Sequence, residues 1–243
     1  MQISIFIPAY NAGGHLSQTI ARIEADFWSQ IKKIHIINDG STDNTGEIAA
    51  QLSAEYPQIV VHNFSQNQGY GKVVRFGLTQ ALKDQSRGIV CLHGDGQYAP
   101  EMLGEICAPI FAGNLDLVQG SRHAQGTAAQ GGMPRYKIWA GHALCALENR
   151  IFKLNMTDYH SGYLAYSTAM LQKLPFAQLK GDFEMDLELI ALAQAQGFRL
   201  GEIAIPTRYA DEISYLNPWR YGLRVLRVVQ RFRRGFYHNL GKV

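Results

Sequence analysis

The chain has 243 residues with 47% hydrophobic and 18% charged side chains, which excludes wholesale disorder and fits one large α/β domain. Its formal net charge is +3, unevenly spread: the first 212 residues hold 16 basic and 20 acidic side chains, and the last 31 hold seven basic and no acidic ones. A mildly acidic body with a basic tail is not a uniformly basic, nucleic-acid-coating protein.

Ile3–Ile7 predicts a short apolar strand ended by Pro8, followed by the loop Tyr10–Gly14 and a helix over Leu16–Phe27. Ile34–Ile37 predicts a second strand, running into Asn38-Asp39-Gly40-Ser41, and Thr42–Thr45 supplies short polar residues suited to capping a helix through Leu52. A third strand over Ile59–Asn63 leads to Asn67-Gln68-Gly69-Tyr70-Gly71 and a helix over Val73–Leu82. A fourth strand, Gly88–Leu92, ends at His93-Gly94-Asp95-Gly96-Gln97; a helix over Met102–Phe111 and a strand over Asp116–Gly120 follow. Ala124–Met133 is rich in Gly, Ala and Gln and reads as a loop, either a flexible cover over the site or a plain surface connection. Helices over Lys137–Phe152 and Asp186–Gln196 and strands near Tyr166 and over Leu200–Ile205 complete the body.

Strands alternating with helices predict a mostly parallel sheet with helices on both faces. Ligands of such sheets sit at the carboxyl ends of the strands. The polar clusters Pro8–Asn11, Asn38–Ser41, Asn67–Gly71 and Gly94–Gln97 all fall at those ends, so four loops from distant parts of the chain should share one crevice.

The three cysteines, Cys91, Cys107 and Cys145, form no CxxC pair and read as buried thiols of a reducing compartment. No apolar run approaches the roughly 18 residues of a membrane span, and the first residues lack the pattern of a signal peptide. A cytoplasmic protein is expected, meeting the inner face of a membrane only peripherally.

Asp95 and Gln97 offer a carboxylate and an amide oxygen at i and i+2, a donor set suited to a hard cation shared with phosphates; a simple Asx turn after a strand would use the same residues. Asp39 could accept hydrogen bonds from a nucleotide, or make a turn. Gly69-Tyr70-Gly71-Lys72 does not make a P-loop, because GxxxxGK[ST] is absent and position 74 is Val.

Together these segments resemble the family 2 glycosyltransferases of GT-A (Rossmann-like) fold, and within them the dolichol- or polyprenyl-phosphate sugar synthases. The resemblance is carried by Ile7–Asn11, Ile37–Thr45, Asn67–Gly71, Gly94–Gln97, Gly120-Ser121-Arg122, Asp158–Tyr163 and Gly201–Pro206, in that order. It implies a GT-A domain over residues 1–218; the spacing of the tail's arginines and apolar residues predicts a basic amphipathic helix over 219–243. The resemblance implies that Pro8, Ala9, Tyr10, Asn11, Asp39, Gly69, Gly94 and Asp95 hold a nucleotide-sugar donor, with Asp39 facing the base. Asp95 and Gln97 would bind Mg²⁺ or Mn²⁺, and Arg122 and Arg135 would meet phosphates, to which guanidinium binds bidentately. Where family members often have Asp-x-Asp, this chain has His93-Gly94-Asp95, and His93 reads either as a structural histidine or as a metal ligand. The first loop continues with Ala12 and Gly13 where Glu is frequent, so one acidic contact is missing.

The implied reaction is metal-dependent, inverting glycosyl transfer. A polyprenyl-phosphate acceptor is already anionic and needs no strong base; a saccharide hydroxyl needs one, with Asp158 the first candidate and Asp186 and Glu188, which could be solvated helix residues, the weaker ones. A sugar nucleotidyltransferase would want a basic Gly-rich loop after the first strand, which is absent. A non-catalytic nucleotide-sugar-binding protein would be favoured only by His93. Arg220, Arg224, Arg227 and Arg231 fall on one face of a tail helix, which suits either an anionic membrane surface or a solvated face of a helix packed on the body.

Overall fold

The computed structural model describes residues 2–124, 135–206 and 218–241, with the side chains of 135–140 and 218 outside the description. Residues 125–133 of the predicted loop and the side chain of Arg135 therefore lie outside the described residues.

A seven-stranded sheet runs in the order β3-β2-β1-β4-β6-β5-β7. Its strands are β1 (Ile3–Ala9), β2 (Ile31–Asn38), β3 (Ile59–Asn63), β4 (Gly88–Cys91), β5 (Leu117–Ser121), β6 (Leu164–Ser167) and β7 (Leu200–Ala204). β1 pairs in parallel with β2 (Ile5 opposite Ile34) and with β4 (Ile5 opposite Val90). β6 alone runs antiparallel, inserted between β4 and β5 with Ala165 opposite both Val90 and Val118. It is reached after a long excursion rather than through a simple strand–helix–strand crossover, so the alternation of elements did not reveal it.

Helices α1 (Gly13–Ala21), α2 (Thr45–Glu55) and α4 (Leu103–Phe111) cover one face of the sheet. Helices α3 (Tyr70–Lys83), α5 (Arg135–Phe152), α6 (Thr168–Leu171), α7 (Met185–Ala195), α8 (Pro218–Arg233) and α9 (Phe236–Asn239) lie on the other. Both faces of the central strands are therefore apolar: Ile5 and Ile7 turn to the first layer, Phe6 to the second, and all three are fully buried. That is why these strands read as continuous hydrophobic runs.

The predicted first helix is shorter than expected. It ends at Ala21, Glu24 turns extended (ψ 136), and Ala25–Gln30 forms a 3₁₀ turn that tucks Phe27 into the core. Its apolar spacing came from two short elements burying the same side. The three cysteines are free and buried, as predicted. Among the described residues no helix is long and apolar enough to cross a membrane.

From β1 the chain builds outward through β2 and β3 on one side, then returns to place β4 on the other. The strand order reverses between β1 and β4, and a crevice opens at their carboxyl ends. The end of β1 and the loop after it carry Pro8–Asn11, and the loop after β4 carries Gly94–Gln97.

Candidate active site

The loops after β1 and β2 are laced together by backbone and short polar groups. Asn11 N–H donates to Ser41 Oγ (3.0 Å), Thr42 N–H to Asn11 Oδ1 (2.9 Å), Ala12 N–H to Thr45 Oγ1 (2.8 Å) and Gly13 N–H to Asp43 Oδ2 (3.1 Å). Asn11 takes a left-handed backbone (φ 49), which its short polar side chain tolerates. Asp43 thus sits at the N-terminus of α1, where a carboxylate is favoured. Desolvation pushes its carboxyl up, but hydrogen bonds from Thr45 and Gly13 outweigh that, and its pKa is lowered.

Asp39 is buried and accepts from the backbone N–H groups of Gln68 (2.7 Å) and Gly69 (3.1 Å). Expected to face a base, it first clamps the loop after β3 against the loop after β2. A carboxylate has about four acceptor positions, so two are used here. Gly69 is shaped for this: its φ is +88, a backbone that side chains other than glycine rarely adopt. Pro8 and Ala9 end β1 beside this clamp, and Tyr10 is exposed.

After β4, Asp95 is half-buried and its Oδ1 accepts from Gln97 N–H (3.1 Å), so the Asx turn exists. It leaves Asp95 at the mouth of the crevice with oxygen donors, a set whose chemistry fits Mg²⁺ or Mn²⁺. Among the described residues no three His, Cys, Asp or Glu side chains converge on a metal position, so substrate phosphates and water would have to complete the coordination. Arg22, which the sequence did not single out, donates to Gly96 O (3.1 Å) while paired with Glu101 (3.0 Å), and so fixes this turn from α1's end.

His93 fills a slot rather than standing free. Its Nε2 lies 3.0 Å from Tyr70 Oη, and Tyr98 meets its ring edge-on at 5.1 Å. A Cβ on Gly162 would come within 2.3 Å of its Nε2, so the glycine of Ser161-Gly162 is demanded by this imidazole. Burial lowers the His93 pKa and Asp95 opposes the shift. Tyr70 Oη also donates to Asp186 Oδ2 (2.7 Å), whose carboxyl burial drives up to about 7 against that bond.

On the far side of the crevice Arg122 and Asp158 form a bidentate pair, with Arg122 Nε and Nη2 donating to Asp158 at 2.8 and 3.2 Å. Asp158 is 2% exposed. Desolvation raises its pKa, but Arg122 outweighs this and holds the carboxyl at about 2. The turn is anchored below by Thr157, which bonds Ser121 Oγ (2.7 Å) and, through N–H and hydroxyl, Glu202 (2.7 and 2.8 Å). An ionised carboxylate so paired is a weak proton acceptor, which weighs on the expectation that Asp158 serves as a base. Behind it, His160 faces the fully buried Glu148 at 3.4 Å and Tyr221 Oη at 3.0 Å. Burial lowers the His160 pKa, but Glu148 and Asp158 outweigh it, and the net shift is upward.

Asp186 and Glu188, the weaker base candidates, are not the solvated helix residues they could have been: both are buried. Glu188 accepts from Gly181 N–H (2.8 Å), Arg231 (2.9 Å) and Tyr237 Oη (2.8 Å). Arg224 pairs with Asp182 (2.9 Å) and Glu184 (3.1 Å). The arginines at 224 and 231 therefore face the body. Their sequence signal was the stripe itself, whose acidic partners lie some forty residues away. Arg135 opens α5.

Residues 4–175 match the family model described as Glycosyl transferase family 2. The UDP-N-acetylglucosamine–dolichyl-phosphate N-acetylglucosaminyltransferase of Methanococcus voltae is 26% identical over 221 residues, covering 86% of each chain. The polyprenol monophosphomannose synthase of Mycolicibacterium smegmatis is 28% identical over 211 residues, covering 83% of this chain and 75% of that one. Among solved structures, glucosyl-3-phosphoglycerate synthase from Mycobacterium tuberculosis in complex with UDP superposes with a TM-score of 0.70 at 17% identity, covering 96% of this chain and 80% of that one. The same enzyme with Mn²⁺, UDP and glucosyl-3-phosphoglycerate gives a TM-score of 0.67. The likeness establishes the GT-A type of fold.

Proposed function

The chain belongs to glycosyltransferase family 2, and from that premise we propose that it transfers a sugar, with inversion, from a UDP- or GDP-sugar to a polyprenyl or dolichyl phosphate. The observation that carries the acceptor is the Arg122–Asp158 pair. Its carboxylate is tied to Arg122 by two hydrogen bonds and held at about 2, which suits an acceptor that brings an anionic nucleophile of its own. A lipid phosphate does so. Its oxygen attacks the anomeric carbon, the bond to the nucleoside diphosphate breaks, and the diphosphate leaves with the electron pair. No proton has to be removed. Relatives whose names specify a dolichyl-phosphate acceptor and a polyprenol monophosphomannose product support the same class.

In this reading Pro8, Ala9, Tyr10, Asn11, Asp39, Gly69 and Gly94 line the nucleotide. Asp95 and Gln97 would hold a divalent cation, which supplies positive charge to the departing diphosphate. The structural neighbour solved with Mn²⁺ and UDP supports the use of a divalent cation. Arg122 and Arg135 meet phosphate oxygens and stabilise charge that grows as the leaving group departs. Arg22 positions the Asp95 turn, and His93 forms a wall.

A saccharide hydroxyl is the second reading, favoured by Asp186, whose carboxyl at about 7 is suited to accept a proton near neutrality and reaches His93 through Tyr70. Labelled UDP- and GDP-sugars offered with Mn²⁺ and a short-chain polyprenyl phosphate test the proposal. Label is expected in the lipid extract, and Asp95→Asn should cut turnover at least about 100-fold. Label appearing only in a saccharide would overturn the acceptor; full activity of the variant would overturn the cation site.

A further inference from the structure

The C-terminal helix divides its side chains between two surfaces. Val225, Val228 and Val229 enter the core, and Arg224 and Arg231 bend inward to Asp182, Glu184 and Glu188. On the opposite side, at about 100° per residue, Trp219, Leu223, Leu226 and Gln230 fall within one narrow stripe. Trp219 is 88% exposed, Leu223 59% and Leu226 47%, and Phe236 of α9 follows at 41%. Exposed Arg227, Arg233 and Arg234 border the stripe. No Asp or Glu occurs from Ile213 onward.

We infer that this outward face of α8 docks on an anionic lipid bilayer, lying in the headgroup plane with Trp219, Leu223 and Leu226 inserted. A helix that is polar on average, with a narrow apolar stripe, an aromatic residue and a basic border, suits the membrane interface. The bordering arginines meet anionic headgroups. A second copy of the chain is a poor occupant, because its face would set the same positive border against this one. The inference deepens the lipid-phosphate reading and rests on it only for its purpose. The inner side of the same helix touches the crevice: Tyr221 bonds His160, whose backbone N–H bonds Asp158 (2.9 Å). Arg224 holds Asp182, which lies against Gly69. A docked α8 therefore sets the crevice close to the lipid surface.

Flotation of the full chain with vesicles of phosphatidylcholine alone, and with phosphatidylglycerol added, tests this without any polyprenyl lipid present. Retention is expected on the anionic vesicles and not on the neutral ones. The double variant Leu223→Glu/Leu226→Glu, changed only at exposed positions and checked for fold by circular dichroism, should lose at least tenfold of it. Equal retention of wild type and variant, or none by wild type, overturns the inference. So does a concentration-dependent dimer in size-exclusion chromatography that the same variant abolishes, which assigns the face to a second copy. Transfer to a water-soluble short-chain polyprenyl phosphate should be the same for wild type and variant. Its absence in both would count against the acceptor reading and leave the docking result standing.

Discussion

Asp39, Asp43 and Asp95, on the β1–β4 side of the crevice, give their oxygens largely to backbone N–H groups a turn or a neighbouring loop away. Asp158, Asp186 and Glu188, on the β6–α7 side, are buried and held chiefly by the side chains of Arg122, Tyr70, Arg231 and Tyr237. The first arrangement shapes loops and leaves Asp43 exposed and Asp95 half-exposed at the mouth. The second removes charge from water and depends on each partner being present. Loss of an exposed backbone-facing carboxylate such as Asp43 should therefore be mild and local, whereas loss of one buried partner leaves an uncompensated group.

The largest effect is expected at Asp158. Asp158→Asn strips Arg122 of its buried partner and should cost about 3–5 kcal/mol in denaturant unfolding. The pH dependence has a defined sign. A carboxyl lowered to about 2 from 3.8 contributes stability that is present above pH 4 and is lost as pH falls toward 2. Wild type should shed about 2 kcal/mol across that window, and the variant should not. An acid limb unchanged by the substitution would break the contrast.

Asp186 carries the opposite sign. Its carboxyl is raised to about 7 from 3.8 by burial, so its stability contribution is complete below pH 4 and is lost as pH rises through 7. Asp186→Asn keeps an acceptor for Tyr70. Relative to wild type it should gain up to about 4 kcal/mol between pH 4 and pH 8. Thermal melts of both proteins at the two ends of that range check this, and a pH-independent difference would count against a buried carboxyl.

The two sides also differed in how much of them could be read in advance. Asn38-Asp39-Gly40, Gly94-Asp95-Gly96 and Asn67–Gly71 announce themselves because turns and backbone-bound carboxylates are written in contiguous residues. The parallel strands were legible for the same reason, as apolar runs ended by polar loops. Tyr70 with Asp186, separated by 116 positions, and Arg231 with Glu188, separated by 43, leave no local trace. Helical periodicity placed Arg224 and Arg231 on one face of α8 but could not say that the face turns inward, because that depends on acidic residues of a different element. The strand near Tyr166 was expected, but its antiparallel direction as β6 was not, for a related reason: strand direction is set by the path of the preceding chain, not by its four residues.

His93 and Gly162 join the two sides. Gly162→Ala drives a methyl into the imidazole at 2.3 Å, and the slot formed by Tyr70 and Tyr98 gives it little room to retreat. Overpacking of this kind should cost about 1–3 kcal/mol. Adding His93→Ala removes the obstacle, and the double variant should be more stable than Gly162→Ala alone. If it is not, the glycine serves backbone shape and not the histidine.

The smallest effect is expected at Asp43. Its Oδ2 accepts from Gly13 N–H at the start of α1, and its Oδ1 accepts from Thr45 N–H (3.0 Å) at the start of α2. Asp43→Ala removes an acceptor from the start of two helices at once; Gly13 N–H can turn to water because the Asp43 side chain is exposed, whereas Thr45 is buried. A loss of about 1 kcal/mol follows from capping energetics, compared with several for Asp158. Asp43→Asn should recover most of it, since an amide oxygen can still accept from Gly13 and the remaining deficit is the charge at the α1 N-terminus. That deficit should shrink as salt is added, because an exposed charge is screened. A salt-independent loss as large as that of Asp158→Asn would mean that this side, too, depends on buried charge.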